Sequence, residues 1–146
     1  MFHRNRWVIL VVAVAGLLLP ACAATTTTST KVNPATIEQI EGSEFKRVVL
    51  TEKAAERVGV ETAPVQEGES NGSQRLVIPY AAVMYGLTGE TWTYTNPEPL
   101  VYVREPITIF NIKGDLAYLV NGPPAGTSVV TVGGAELYGA ETGVSK

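Results

Sequence analysis

The residue types that most often do chemistry are almost missing from this 146-residue chain. It has one histidine, His3, one cysteine, Cys22, and one aspartate, Asp115. His3 and Cys22 both lie near the N-terminus. Beyond them, neither a Ser-His-Asp nor a Cys-His relay can be assembled, and neither can a histidine zinc site. A single cysteine forbids an intrachain disulfide. Acid–base work would fall to Glu, Lys, Arg, Tyr or Ser alone, so the chain is read as non-catalytic, with no metal site. The 11 Lys+Arg against 14 Asp+Glu give a formal net charge of −3. That leaves no basic surplus to neutralise phosphates, and nucleic acid is not an expected partner.

Cys22 is singled out by what precedes it. Arg4 and Arg6 open the chain with positive charge, and residues 7–19, WVILVVAVAGLLL, form an unbroken apolar run. The run is too short for a bilayer core that needs about 20 residues, and it fits a signal-peptide h-region of about 7–15. Leu19-Pro20-Ala21-Cys22 then resembles a bacterial lipobox. The resemblance implies lipidation of the Cys22 thiol, cleavage just before it, and acylation of the new amine. Each buried methylene contributes about 0.8 kcal/mol, so several acyl chains anchor a protein firmly. Residues 1–21 are read as a lipoprotein signal peptide. The lipid on Cys22 is the one covalent group expected, with no other cofactor. Ala21-Cys22-Ala23 also has the A-x-A form of an ordinary cleavage site, which would release a soluble secreted protein. Losing Arg4 and Arg6 with the leader takes the formal charge from −3 to −5. Attachment would then rest on the lipid rather than on attraction to anionic headgroups.

The elements that follow are mostly β. Residues 22–43 contain four consecutive threonines and no aromatics, and are read as a flexible tether. A folded domain is expected over 44–140, with a tail over 141–146. Residues 45–50 read as a strand. Thr51 is an N-cap for a two-turn helix over 52–58, closed by Gly59. Residues 60–65 resume as a strand, and EGESNGSQ at 67–74 reads as a polar turn with Asn71-Gly72 at its tip. Strands are expected up to Tyr85, over 91–96, over 100–110 bent at Pro106, over 116–120 and over 128–132. Trp92 and Tyr94 alternate with Thr91, Thr93 and Thr95, the mark of a half-buried strand. The fold class is mainly β: a small barrel or roll of about six to seven short strands with one short helix.

Two blocks of this pattern look like the membrane-proximal β domain of HlyD-type membrane fusion proteins, the periplasmic adaptors of RND-type efflux pumps and some ABC transporters. The first is LTEKAAERVGVETAPV at 50–65. The second runs from VIPYAAV at 77–83, through Gly89 and Trp92-Thr93-Tyr94, then VREPI at 103–107, to GPPAGTSVVTVG at 122–133. Pro123 and Thr127 depart from the family, which usually has leucine and an acidic residue there. A larger departure lies between Val65 and Leu76. A full adaptor inserts a barrel, a lipoyl-like domain and a long helical hairpin at this point, and here about ten polar residues make the link. The resemblance therefore implies only the membrane-proximal role: an accessory subunit in the cell envelope, outside the cytoplasm, docking on an RND or ABC transporter permease or on a full-length adaptor. The alternative is a free-standing ligand- or envelope-binding β domain.

Arg104 and Tyr102 are the residues expected to meet such a partner. Arg104-Glu105 is otherwise a solvated pair on a strand. Trp92 and the tyrosines 80, 85, 94, 102 and 118 are read as core packing and cross-strand pairs rather than a ligand-stacking patch. Met84 is alone among the residues after Met1, which leaves a methionine copper site without ligands.

Overall fold

Thr51 and Gly59 bracket the first helix as their spacing predicts. In the computed structural model, Thr51 Oγ1 accepts a hydrogen bond from Ala54 N–H at 3.2 Å and caps α1 (Glu52–Val58). Gly59 ends it in the left-handed region at φ 67°. The structure describes residues 33–143. The leader, Leu19, Pro20, Ala21, Cys22 and the start of the tether lie outside the described residues.

The described residues form eleven strands in two sheets, in a mainly β architecture. The larger sheet runs β1 (Ala35–Gln39), β2 (Lys46–Leu50), β8 (Val101–Pro106), β7 (Thr91–Glu98), β11 (Ser128–Val132), β3 (Glu61–Pro64). The two-residue β6 (Met84–Tyr85) pairs with β7 off this path. The smaller sheet runs β4 (Gln66–Ser70), β5 (Ser73–Pro79), β10 (Leu116–Asn121), β9 (Thr108–Lys113). Every pairing is antiparallel. The expected barrel does not close, because β1 and β3 remain edges of one sheet and β4 and β9 edges of the other. Alternation along a strand fixes which side chains share a face, not which strand lies alongside.

Two of the four passages between sheets are one-residue corners, and both corners are buried. Val65 joins β3 to β4, and Ile107 joins β8 to β9. At the second corner Ile107 N–H donates to Thr91 O at 3.0 Å, and Thr91 Oγ1 donates to Ile107 O at 2.8 Å. Pro106 therefore ends a strand rather than bending one. Val65, Ile107, Ile78, Ala117, Leu119 and Val129 meet in an aliphatic core that includes both sheets. The polar link at 67–74 is not a loop but the hairpin β4–β5. It turns through Asn71 and Gly72 at φ 54° and 73°, so both turn residues have positive φ.

The other face of the large sheet carries two helices, where one was expected. After Gly133 the chain forms α2 (Gly134–Thr142), ended by Gly143 in the left-handed region. Leu137 and Glu141, one turn apart, are its buried residues. Val48, Leu50, Trp92, Tyr94, Tyr102 and Val130 complete this second core. The adjacent residues Val129 and Val130 thus belong to opposite cores, and β7 is buried on both faces from Trp92 to Thr95. That corrects the half-buried reading of β7. Threonines read as solvent-facing are buried, because the strand is central and the second sheet covers their side. Residues 35–39, inside the span expected to be tether, pair with all five residues of β2. Glu141, assigned to a tail, is 5% exposed.

Candidate functional site

Arg104 and Tyr102 sit two apart on β8 and so share one face of the large sheet, the helix-covered one. Tyr102 pairs with Val48 and is 5% exposed. Its expected role as a partner contact is corrected by that burial: the ring is core, and desolvation raises its hydroxyl above the ordinary tyrosine value. Arg104 is also turned inward. Its Nη2 donates to Glu141 Oε1 at 3.0 Å, while Tyr94 O–H donates to Glu141 Oε2 at 2.6 Å. Burial, then the Glu141 contact, pushes the Tyr94 hydroxyl far above its ordinary value. Three rings surround the guanidinium: Trp92 at 5.1 Å, Phe45 at 5.2 Å and Tyr138 at 5.8 Å. Arg104 Nε and Trp92 Nε1 are buried without a hydrogen-bond partner, so this patch is already short of acceptors. Glu105 pairs with Thr93 on the opposite face, so Arg104-Glu105 is not a solvated pair. Desolvation raises its carboxyl.

Between α1, α2 and the start of β1 lies an open apolar groove of about 470 Å³. Leu50, Ala54, Val58, Leu137 and Ala140 line it, and Arg57 contributes the one basic side chain. Its volume is within the range of small-molecule sites, about 300–1,000 Å³. A second polar cluster lies on the small sheet, where Lys113 Nζ donates to Ser70 Oγ at 3.1 Å. By residue type this is a Ser–Lys pair, but Ser70 is buried and closed to a substrate. Among the described residues, no group of three or more His, Cys, Asp or Glu is placed to hold a metal ion.

The β6–β7 hairpin presents Leu87, the most exposed large apolar side chain among the described residues. Tyr85 pairs with Thr91, and Gly86 N–H donates to Glu90 O at 2.9 Å. Gly89 N–H donates back to Gly86 O, and Gly89 sits at φ 92°. This is a three-residue hairpin loop whose last residue must enter the left-handed region, a glycine role. The Glu90 carboxylate lies across the loop, accepting from Thr88 N–H at 3.1 Å and from the Thr88 hydroxyl. The Thr88 hydroxyl does most to hold Glu90 below the usual carboxylate range. A side chain at Gly86 would collide with that carboxylate. Leu87 is left fully exposed at the apex, with Tyr85 and Tyr80 partly exposed beside the loop. The neighbouring Tyr80 hydroxyl, and then burial, raise the Tyr85 hydroxyl above the ordinary tyrosine value. The sequence marks GLTG as a turn, but nothing in it says that the leucine, rather than Tyr102, faces outward.

No protein-family model matches the chain, and no curated protein does. Among solved structures it is similar to an NMR structure of a 180-residue piece of SilB from Cupriavidus metallidurans CH34, which spans the N-terminal metal-binding site and the membrane-proximal domain. The identity is 22% and the TM-score 0.46, over 64% of this chain. This chain spans about half of that one, 53% of its length. At this identity and TM-score nothing about function passes from one protein to the other.

Proposed function

We propose that this chain is a non-catalytic, lipid-anchored accessory domain outside the cytoplasm, adaptor-like in kind, that binds an efflux-type membrane transporter. One observation carries the reading. The two blocks that resemble the adaptors' membrane-proximal domain lie far apart in the chain, yet the end of the first and most of the second meet in one sheet. β3, from the first block, pairs with β11, from the end of the second, and β7 and β8 continue the same sheet. The link between the blocks turns back at Asn71-Gly72 as a hairpin, so the β domain is continuous where the adaptors insert their outer layers.

The test is an affinity purification of the full chain tagged after Lys146, from membranes in mild detergent. The expected result is a transporter permease in near-stoichiometric amount, with an N-terminal mass showing acyl groups on Cys22. Recovery of the chain alone, even after crosslinking, overturns the transporter reading. A soluble product lacking Cys22 overturns the anchor. The groove against α2 favours the second reading, a free-standing domain for an apolar ligand, and its signature is a co-purifying small molecule without a permease.

A further inference from the structure

We infer that the groove between α1 and α2 is the face by which the domain rests on its membrane, and that it takes an acyl chain of a zwitterionic phospholipid; the inference rests on the lipid-anchor reading above. The groove stays unfilled because side chains that line it from the two helices are small: Ala54 on α1, Ala135 and Ala140 on α2. Its volume of about 470 Å³ equals roughly sixteen groups the size of a water, at about 30 Å³ each, which is the scale of one acyl chain. Apart from Arg57 and Glu136 the lining is uncharged and mostly apolar. Apolar walls left in water are a cost that a covering acyl chain removes.

The chain itself brings this groove to a bilayer. Pro34 and Ala35 belong to the lining, and Pro34 O accepts from Thr51 N–H at 3.0 Å, which fixes the start of the domain beside α1. Asn33, the first described residue, is eleven positions after Cys22. Even fully extended, those eleven residues span at most about 40 Å, so a lipid on Cys22 keeps this end of the groove within that distance of the bilayer. Charge selects the lipid. Arg57 and Glu136 are exposed, one on each helix, and among the described residues neither is in an ion pair. An anionic phosphate beside a cationic amine complements that pair, whereas a purely anionic headgroup meets Glu136 as a like charge. The acyl chain comes from a phospholipid rather than from Cys22, because every chain withdrawn from the Cys22 lipid weakens the anchor by its buried methylenes.

The experiment places a photo-crosslinking amino acid at position 135 of the full-length chain, which is exposed in the lining. The chain is purified in mild detergent, moved into vesicles of equal parts phosphatidylethanolamine and phosphatidylglycerol, and irradiated. Position 116, exposed on β10 in the small sheet, is the control. The expected result is a phospholipid adduct at least fivefold more abundant at 135 than at 116, and enriched in phosphatidylethanolamine. Arg57→Glu is expected to lower that adduct at least threefold without a change in melting temperature, since Arg57 is exposed. Equal lipid adducts at the two positions, no enrichment of phosphatidylethanolamine, or wild-type labelling of the Arg57→Glu chain overturns the inference. Adducts with the acyl groups of Cys22, with a protein or with another small molecule overturn the phospholipid assignment while the anchor reading stands. The N-terminal mass is read from the same samples: without acyl groups on Cys22 the anchor reading fails, and this inference falls with it.

Discussion

The two faces of the large sheet are built on different principles. Toward the small sheet, Ile78, Ala117, Leu119 and Val129 pack together, with threonines of β7 and, on β8, the partly buried Glu105 on the same side of the large sheet. Toward the helices, Tyr94, Glu141 and Arg104 place a charged network among Trp92, Tyr102 and Leu137. An aliphatic core is non-directional: it rewards any close-packed arrangement of the right volume. A buried carboxylate is directional, because it is tolerated only where donors already wait. The dry face therefore joins the sheets, and the polar face fixes where α2 sits.

The largest effect expected is on the dry face. Ile78 is fully buried, and Ile78→Ala should cost about 4 kcal/mol, the usual range for such cavities being about 2–5. Loss should be global, with thermal and hydrogen-exchange probes of both sheets shifting together. If α2 alone loses protection, the dry core is not what joins the sheets.

Glu141→Ala comes next, at about 3 kcal/mol, because it strands Arg104 among three rings and leaves the Tyr94 hydroxyl without its acceptor. Here the loss should be local first. Amides of α2 should exchange faster while those of β5 and β10 stay protected. Glu141→Gln keeps an acceptor and should cost less than Glu141→Ala. Equal costs would mean that the network is not held by hydrogen bonding.

This same contrast explains what could be read from the sequence. α1 was legible because Thr51, Glu52 and Gly59 are local signals, satisfied within a few residues. The turn at Asn71-Gly72 was legible for the same reason. α2 was not, since its sequence GAELYGAET has two glycines and puts a glutamate on the inward face. Only Arg104 and Tyr94, 37 and 47 residues away, make that inward glutamate sensible. β1 was hidden because its residues are largely exposed and β2 supplies its pairing, so no buried face left a pattern. Tyr102 was expected both as core packing and as a partner contact, and its burial keeps only the first. An amphipathic tyrosine went to the core and an aliphatic leucine to the apex, a choice set by strand neighbours rather than by composition.

Alkaline pH should sharpen the contrast further. Tyr94 and Tyr102, both on the polar face, have hydroxyls raised above the ordinary value of about 10. Above that pH the unfolded chain releases protons that the folded chain keeps. Stability due to these groups is therefore complete below pH about 10 and declines as pH rises, by about 1.4 kcal/mol per pH unit for each lagging group. Denaturant titrations from pH 9 to 11.5 should show a slope shallower by about one group in Tyr94→Phe. An unchanged slope would mean that Tyr94 ionises freely despite its burial.

The smallest effects are expected from two carboxylates with opposite signs, and they test the polar balance from the acid side. Glu90 is held low by Thr88, so its contribution is present above the ordinary carboxylate pKa and is lost as pH falls through its folded value. Glu105 is raised by desolvation, so its contribution is present below the ordinary pKa and is lost as pH rises through its folded value. Between pH 6 and 3, Glu90→Gln should remove part of the acid-induced loss of stability. Glu105→Gln should instead make that loss steeper, since the wild-type gain on protonation disappears. The two slopes should move apart from wild type in opposite directions. If both moved the same way, the Glu90 carboxylate would not be held by the Thr88 hydroxyl and N–H.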